Sequence, residues 1–233
     1  MRWNGRAIAI TLALAAWAAL FWFLMLSDRT FFYLSARTDW LVPVGAVVLS
    51  LATIGRAVSL RSPQAEPLKR TDAWSVGLIV LPVVLVLALP PASLSSFAAG
   101  RRSSFSSAGF TTSAEDLAEG ELSFADVAGA LRSQDSMEAL VQRAGTEVTF
   151  TGFVTRDSGM PADEFVLTRF LISCCVADAL SVEARVVGAP PGAFEKDEWV
   201  RVSGKFYPLG GEVILDAREV VKVPRPDKPY LNP

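Results

Sequence analysis

Residues 7–26, AIAITLALAAWAALFWFLML, contain no charged side chain. Twenty uncharged, mostly apolar residues in an α-helix cross a hydrocarbon core of about 30 Å. A cleaved signal peptide is the competing reading, because Arg2 and Arg6 form a basic leader. The run is longer than a signal h-region, ends in bulky aromatics and has no small-x-small cleavage site close behind it, so an uncleaved helix is expected. Two further runs follow, at about 40–57 and 74–90. Pro43 lies in the first turn of the second, where its missing N–H does little harm. Pro82 sits in the middle of the third and predicts a kink that neighbouring helices can satisfy. Residues 1–91 are therefore expected to form a transmembrane region of three helices.

Lys and Arg near the helix ends set orientation. Arg2 and Arg6 precede the first run, Arg29 and Arg37 follow it, and Arg56, Arg61, Lys69 and Arg70 crowd the loop before the third. This pattern predicts a multi-pass protein of the cell (cytoplasmic) membrane, N-terminus in, with an extracytoplasmic C-terminal domain. Arg101 and Arg102 weigh mildly the other way. Trp3, Trp40 and Trp74 lie near span ends, as an interfacial belt requires. Trp17 and Trp22 lie inside the first span, where lipid or helix contact is expected. The apolar cores carry no ionisable side chain, which a self-contained ion or proton path usually needs. The region reads as an anchor or partner surface.

Residues 92–114 are rich in Ser, Gly and Ala and read as a flexible or loosely packed connector. Within the linker of 92–145 two short helices are expected. Ser123 caps the first, with Phe124, Val127 and Leu131 on one face. Asp135 or Ser136 caps the second, with Met137, Leu140 and Val141 apolar and Gly145 beyond its end. From Glu147 the period changes to two. Five short strands within 146–223 predict a small all-β barrel of OB type, with a small sandwich as the alternative. Gly152 and Gly204 lie inside strands, as bulges or bends require. Gly210 and Gly211 form a hairpin turn. The Pro-rich tail, 224–233, predicts no regular structure.

The chain has no histidine, two cysteines and a net charge of -2. The commonest general base and metal ligand is absent, no catalytic triad or close acid–base pair stands out, and no enzyme is expected. Nucleic-acid binding is not expected of a barrel without a basic face. Two cysteines cannot complete a structural zinc site or form a disulfide scaffold.

Both cysteines are neighbours, Cys174 and Cys175, behind the apolar run from Phe165 to Ile172. Val166, Thr168, Phe170, Ile172, Cys174 and Val176 form the more apolar alternating set. If the strand stays regular, Cys174 faces a core and Cys175 faces out. Shared chemistry needs the strand to end or bend, which the following Ala-Asp-Ala allows. Three readings stand: buried packing residues, a soft-metal thiolate site of Cys174, Cys175 and Asp178 with further ligands from another chain, or a vicinal disulfide. Asp178 alternatively just turns the chain. Arg169 is expected to pair with a carboxylate on a neighbouring strand, or to lower a thiol pKa if it lies close. Trp199 is expected to cover a barrel end or to contact a partner.

The apolar trio, the exit LPPASLSS, and the pieces TGFVTRD, FVLTRFLISCCVADA and DEWVRVSGKF together resemble the YcgQ-like family of bacterial membrane proteins. The most specific part is Arg169-Phe170 followed by Cys174-Cys175-Val176-Ala177-Asp178-Ala179. The resemblance implies a subunit of a two-component permease complex, whose partner is a polytopic YcgR-like permease. The expected function is an accessory permease subunit, its barrel a cap or a substrate- or metal-binding module, with a soft metal ion as the candidate cofactor. The alternative is a stand-alone membrane-tethered thiol, metal-binding or redox module.

Overall fold

The computed structural model describes residues 2–58, 60–62, 69–89, 93–100, 117, 122–130, 134–209 and 212–232. Leu131 and the Gly210-Gly211 turn lie outside the described residues. The chain divides into two compact units, Met1–Ala92 and Ser93–Pro233.

The first unit holds three helices long and apolar enough to cross a membrane: α1 (Gly5–Leu26), α2 (Leu41–Val58) and α3 (Arg70–Ala88). Asn4 starts α1, accepting a hydrogen bond from the N–H of Ala7 at 3.1 Å. This satisfies one of the donors a helix N-terminus leaves unpaired. Helix α3 begins four residues ahead of its apolar run, with the N–H of Lys69 donating to Asp72 at 3.3 Å. Helix α1 packs on both others. The two tryptophans inside it make helix contacts: Trp17 Nε1 donates to the carbonyl of Ile79 at 3.0 Å, and Trp22 Nε1 to Ser50 Oγ at 3.2 Å. Arg6 and Asp72 approach to 3.7 Å, so α1 and α3 start at the same end. Backbone pairing of β1 (Arg2–Trp3) with β2 (Arg61–Ser62) brings the α2–α3 connection to that end too. The helices therefore run up, down and up.

The second unit is a closed barrel of five strands: β3 (Glu147–Thr155), β4 (Phe165–Leu171), β5 (Leu180–Val187), β6 (Trp199–Leu209) and β7 (Glu212–Lys222). Their order is β3-β4-β5-β7-β6, with β6 pairing back to β3 and β5 running parallel to β7. This is the OB-type Greek-key barrel. Phe150, Phe165, Leu167, Leu171, Phe206 and Leu215 are among the side chains that fill it. Each contributes about 1.5–3 kcal/mol by leaving water. Two helices precede β3: α5 (Phe124–Ala130) and α6 (Gln134–Gln142). Ser123 and Asp126 form a reciprocal cap on α5, with Asp126 N–H donating to Ser123 Oγ at 3.1 Å and Ser123 N–H to Asp126 Oδ2 at 3.0 Å. Phe124 then stacks on Phe150 with ring centroids 5.0 Å apart. Helix α6 starts earlier than its candidate caps, placing Asp135 in its first turn and burying Ser136. Of its apolar residues, Leu140 is buried and Val141 is exposed.

The alternation in β4 assigns the barrel interior to the wrong set. Phe165, Leu167 and Leu171 point inward, while Phe170 and Ile172 belong to a second, outer cluster with Phe153, Ala179 and Tyr230. Both faces of β4 are covered, so hydrophobicity does not distinguish them. The outer cover comes from two segments that composition reads as unstructured. The first is 93–100, which contains α4 (Ser96–Ala99). Asp197, at φ 68°, accepts from Ser96 N–H at 2.7 Å and Ser96 Oγ at 2.9 Å, pinning this segment to the barrel. The second is the tail. Leu231 N–H donates to Phe170 O at 2.8 Å and Ile172 N–H to Leu231 O at 3.1 Å, a parallel bridge on the part of β4 that β3 does not pair. Tyr230 is buried, and its hydroxyl accepts from Leu94 N–H at 3.1 Å.

Candidate functional site

Strand β4 ends at Leu171, and the chain turns before the cysteines. Asp178 causes the turn. Its carboxylate accepts from Ser173 N–H at 3.1 Å and from Cys174 N–H at 2.8 Å. Two amides that a continuing strand would pair with a neighbour are instead held by one side chain. A single 3-10 turn, Val176–Asp178, follows. The regular-strand expectation for the pair is corrected here. Cys174 is exposed rather than in a core, and Cys175 is half-buried. Neither belongs to a core cluster, which removes packing as the account of the pair.

The two sulfurs lie 3.7 Å apart and are not in a disulfide. The Cys174 thiol is pushed up to about 12, first by its hydrogen bond to Asp178, then by that to Cys175. A carboxylate beside a thiol penalises the thiolate. Burial alone would raise the Asp178 carboxyl. Hydrogen bonds from the Cys174 thiol and from the loop amides outweigh it and hold the group below the usual carboxylate range. Cys174, Cys175 and Asp178 are thus brought together by the bend after β4. Among the described residues no group of three or more Cys, Asp or Glu is arranged to hold a metal ion. The Asp178 oxygens already serve two amides. A soft ion bound here would rest on the two sulfurs and on donors from another molecule.

Among the described residues Arg169 pairs with no carboxylate. Its guanidinium donates to three carbonyls: Lys228 at 2.8 Å, Pro229 at 3.1 Å and Thr151 at 3.4 Å. Its Cζ lies 5.8 Å from the centroid of the Trp199 ring. Burial lowers its pKa. Arginine's planar fork suits several carbonyls converging on one plane. The residue is a clamp between β3, β4 and the tail, and the raised Cys174 pKa shows no influence from it. Trp199 packs against Phe153 with centroids 5.7 Å apart, on the outer cluster. It covers the barrel wall.

Arg169→Ala is expected to cost the tail about 2 kcal/mol, the loss of charge-assisted bonds to carbonyls. By the tenfold per 1.4 kcal/mol rule, that is about thirtyfold faster exchange of the Leu231 amide hydrogen. Hydrogen exchange read by mass spectrometry checks it, and an unchanged Leu231 rate would mean that Tyr230 and the prolines hold the tail alone.

A half-open groove of about 740 Å³ lies elsewhere, lined by residues including Arg143, Glu147, Ser203, Arg218 and Glu219. Its lining includes none of Arg169, Cys174, Cys175, Asp178 and Trp199, and its Arg218 and Glu147 already pair at 3.0 Å. Sequence reasoning missed Asp197, Tyr230 and Leu231, which hold the outer cover; the apolar Tyr-Leu pair within a proline-rich end was the one available signal.

A family model described as the DUF1980 C-terminal domain matches residues 117–233. No curated protein matches the chain. The matched stretch runs from the helices that cap the barrel, through the five strands and the cysteine loop, to the strapped tail, and by that match the chain belongs to the DUF1980 family, whose members are YcgQ-like.

Proposed function

We propose that this protein is an accessory subunit of a membrane permease complex, anchored by α1 to α3 and presenting its barrel to a polytopic, YcgR-like permease on the extracytoplasmic side. The observation that carries the reading is the charge distribution of the helical unit. Between Arg6 and Arg56 at their basic ends and Arg70 and Asp72 at the start of α3, the three helices contain no ionisable side chain. A pathway for an ion or a polar solute generally needs such groups at membrane depth. The transport path in this proposal belongs to the partner.

Orientation follows from the same unit. The N-terminus and the α2–α3 connection share one end, and Arg2, Arg6, Arg56, Arg61, Lys69 and Arg70 lie at or near it in the sequence. The basic end faces the cytoplasm, so α3 leads the barrel outside. There the barrel acts as a cap or substrate-binding module on the partner's outer mouth, and its exposed cysteine loop is the point of contact with what is carried.

Purification of the full chain in a mild detergent is expected to bring down a polytopic permease in fixed ratio, and deletion of the chain to reduce that permease's transport. A chain that purifies alone, and whose loss leaves transport unchanged, overturns the proposal. An alkaline phosphatase fused after Pro233 is expected to be active, and an inactive fusion would reverse the orientation.

A further inference from the structure

We infer that Cys174 and Cys175 form a thiol–disulfide exchange site, with Cys174 the attacking and Cys175 the resolving sulfur. The inference goes beyond the subunit reading and does not depend on it. Three observations carry it. The sulfurs are 3.7 Å apart, so one can reach the other by a side-chain rotation and a small loop adjustment. The two differ in access: Cys174 is exposed and Cys175 is half-buried beside it. The loop that bears them lies beyond the end of β4 and is turned by Asp178, so closing the pair breaks no barrel pairing.

The substrate class is a disulfide, R–S–S–R′, on a protein or a small thiol. The Cys174 thiolate attacks one sulfur; the S–S bond breaks and R–S⁻ leaves, taking up a proton. The mixed disulfide now joins Cys174 to R′. The Cys175 thiolate attacks the Cys174 sulfur, the bond to R′ breaks, and R′–S⁻ takes up the second proton. The pair loses two electrons and two protons; the substrate disulfide gains both and becomes two thiols. The reverse sequence reduces the pair. Neighbouring Cα atoms are about 3.8 Å apart, below the ~4.4–6.8 Å that a relaxed disulfide spans. A bond between Cys174 and Cys175 is therefore easily reduced, which suits a transfer site rather than a structural staple.

The test uses the full chain in detergent, treated with glutathione disulfide, quenched with an alkylating agent and read by intact and peptide mass spectrometry. Wild type is expected to end two hydrogens lighter, unalkylated at both cysteines, with no glutathione retained. Cys175→Ser is expected to stop at a single glutathione adduct on Cys174. Cys174→Ser is expected to lose the reaction. The replaced side chains lie on an exposed loop, and the wild-type result stands without them. An inert wild type, a stable adduct on wild type, or an adduct forming first on Cys175 would each overturn the assignment.

Discussion

Gly204→Ala is expected to destabilise the barrel by about 3 kcal/mol, the upper part of the range for overpacking. Ser203 pairs with Glu219 and Gly204 with Ala217, leaving Arg218 as the extra residue of a bulge between β6 and β7. The strands come so close there that a Cβ on residue 204 would sit 2.1 Å from the carbonyl oxygen of Asp216 and 3.0 Å from the Ala217 Cα. Both obstacles are backbone, so no flexible side chain can yield. Relief requires the bulge to open, and with it the β6–β7 pairing that closes the barrel. With a urea slope of about 1–3 kcal/mol/M, the midpoint of barrel unfolding should fall by roughly 1–3 M. Trp199 is the only tryptophan beyond the helical unit, and hydrogen exchange of the barrel amides gives a readout free of the other five. An unchanged midpoint would show that the two strands are not this close.

The same bulge shows what the sequence makes legible. A glycine inside an alternating strand carries a local signal, and Gly204 was read from it. The three spans and the five strands were legible for the same reason: each declares itself within its own ten or twenty residues. Contacts between distant segments leave no such trace. Asp197 holds Ser96, 101 positions away. Tyr230 meets Leu94 across 136 positions. Because these two segments cover the outer face of β4, its alternation pointed to Val166, Thr168, Phe170 and Ile172 as the core set, and the barrel interior instead takes Phe165, Leu167 and Leu171. A strand buried on both sides has no polar face to mark its direction.

The candidate site divides along the same line. That the chain could bend at Ala-Asp-Ala, with Asp178 turning it, was legible, because an aspartate side chain readily holds nearby backbone amides. Their exposure was not, since it depends on where β4 stops. Arg169 illustrates the harder case. A charge in a strand suggests a countercharge, and Arg169 instead reads the carbonyls of Lys228 and Pro229, groups that every residue carries and no sequence pattern advertises.

Asp178→Asn is expected to make Cys174 react up to about thirtyfold faster with a neutral alkylating agent at pH 7. Only the thiolate reacts. The wild-type thiol is pushed up to about 12, with the hydrogen bond to Asp178 the largest cause. Losing the carboxylate's charge removes the largest cause, while Cys175 and burial still raise the thiol, so the thiolate present at pH 7 multiplies by at most about a thousand. A less basic thiolate is also a weaker nucleophile, which takes back roughly half of that exponent. The sign shows in the pH profile. In wild type the rate should climb about tenfold per pH unit toward a plateau near about 12. In the variant it starts higher and flattens at a lower pH. The Asp178 carboxyl, held below the usual carboxylate range, stays charged throughout and adds no inflection of its own. Peptide mapping assigns the rate to Cys174 rather than Cys175. Equal rates in the two proteins would mean that Asp178 serves only the Ser173 and Cys174 amides. A faster variant would mean that the carboxylate slows, without blocking, exchange at an exposed thiol.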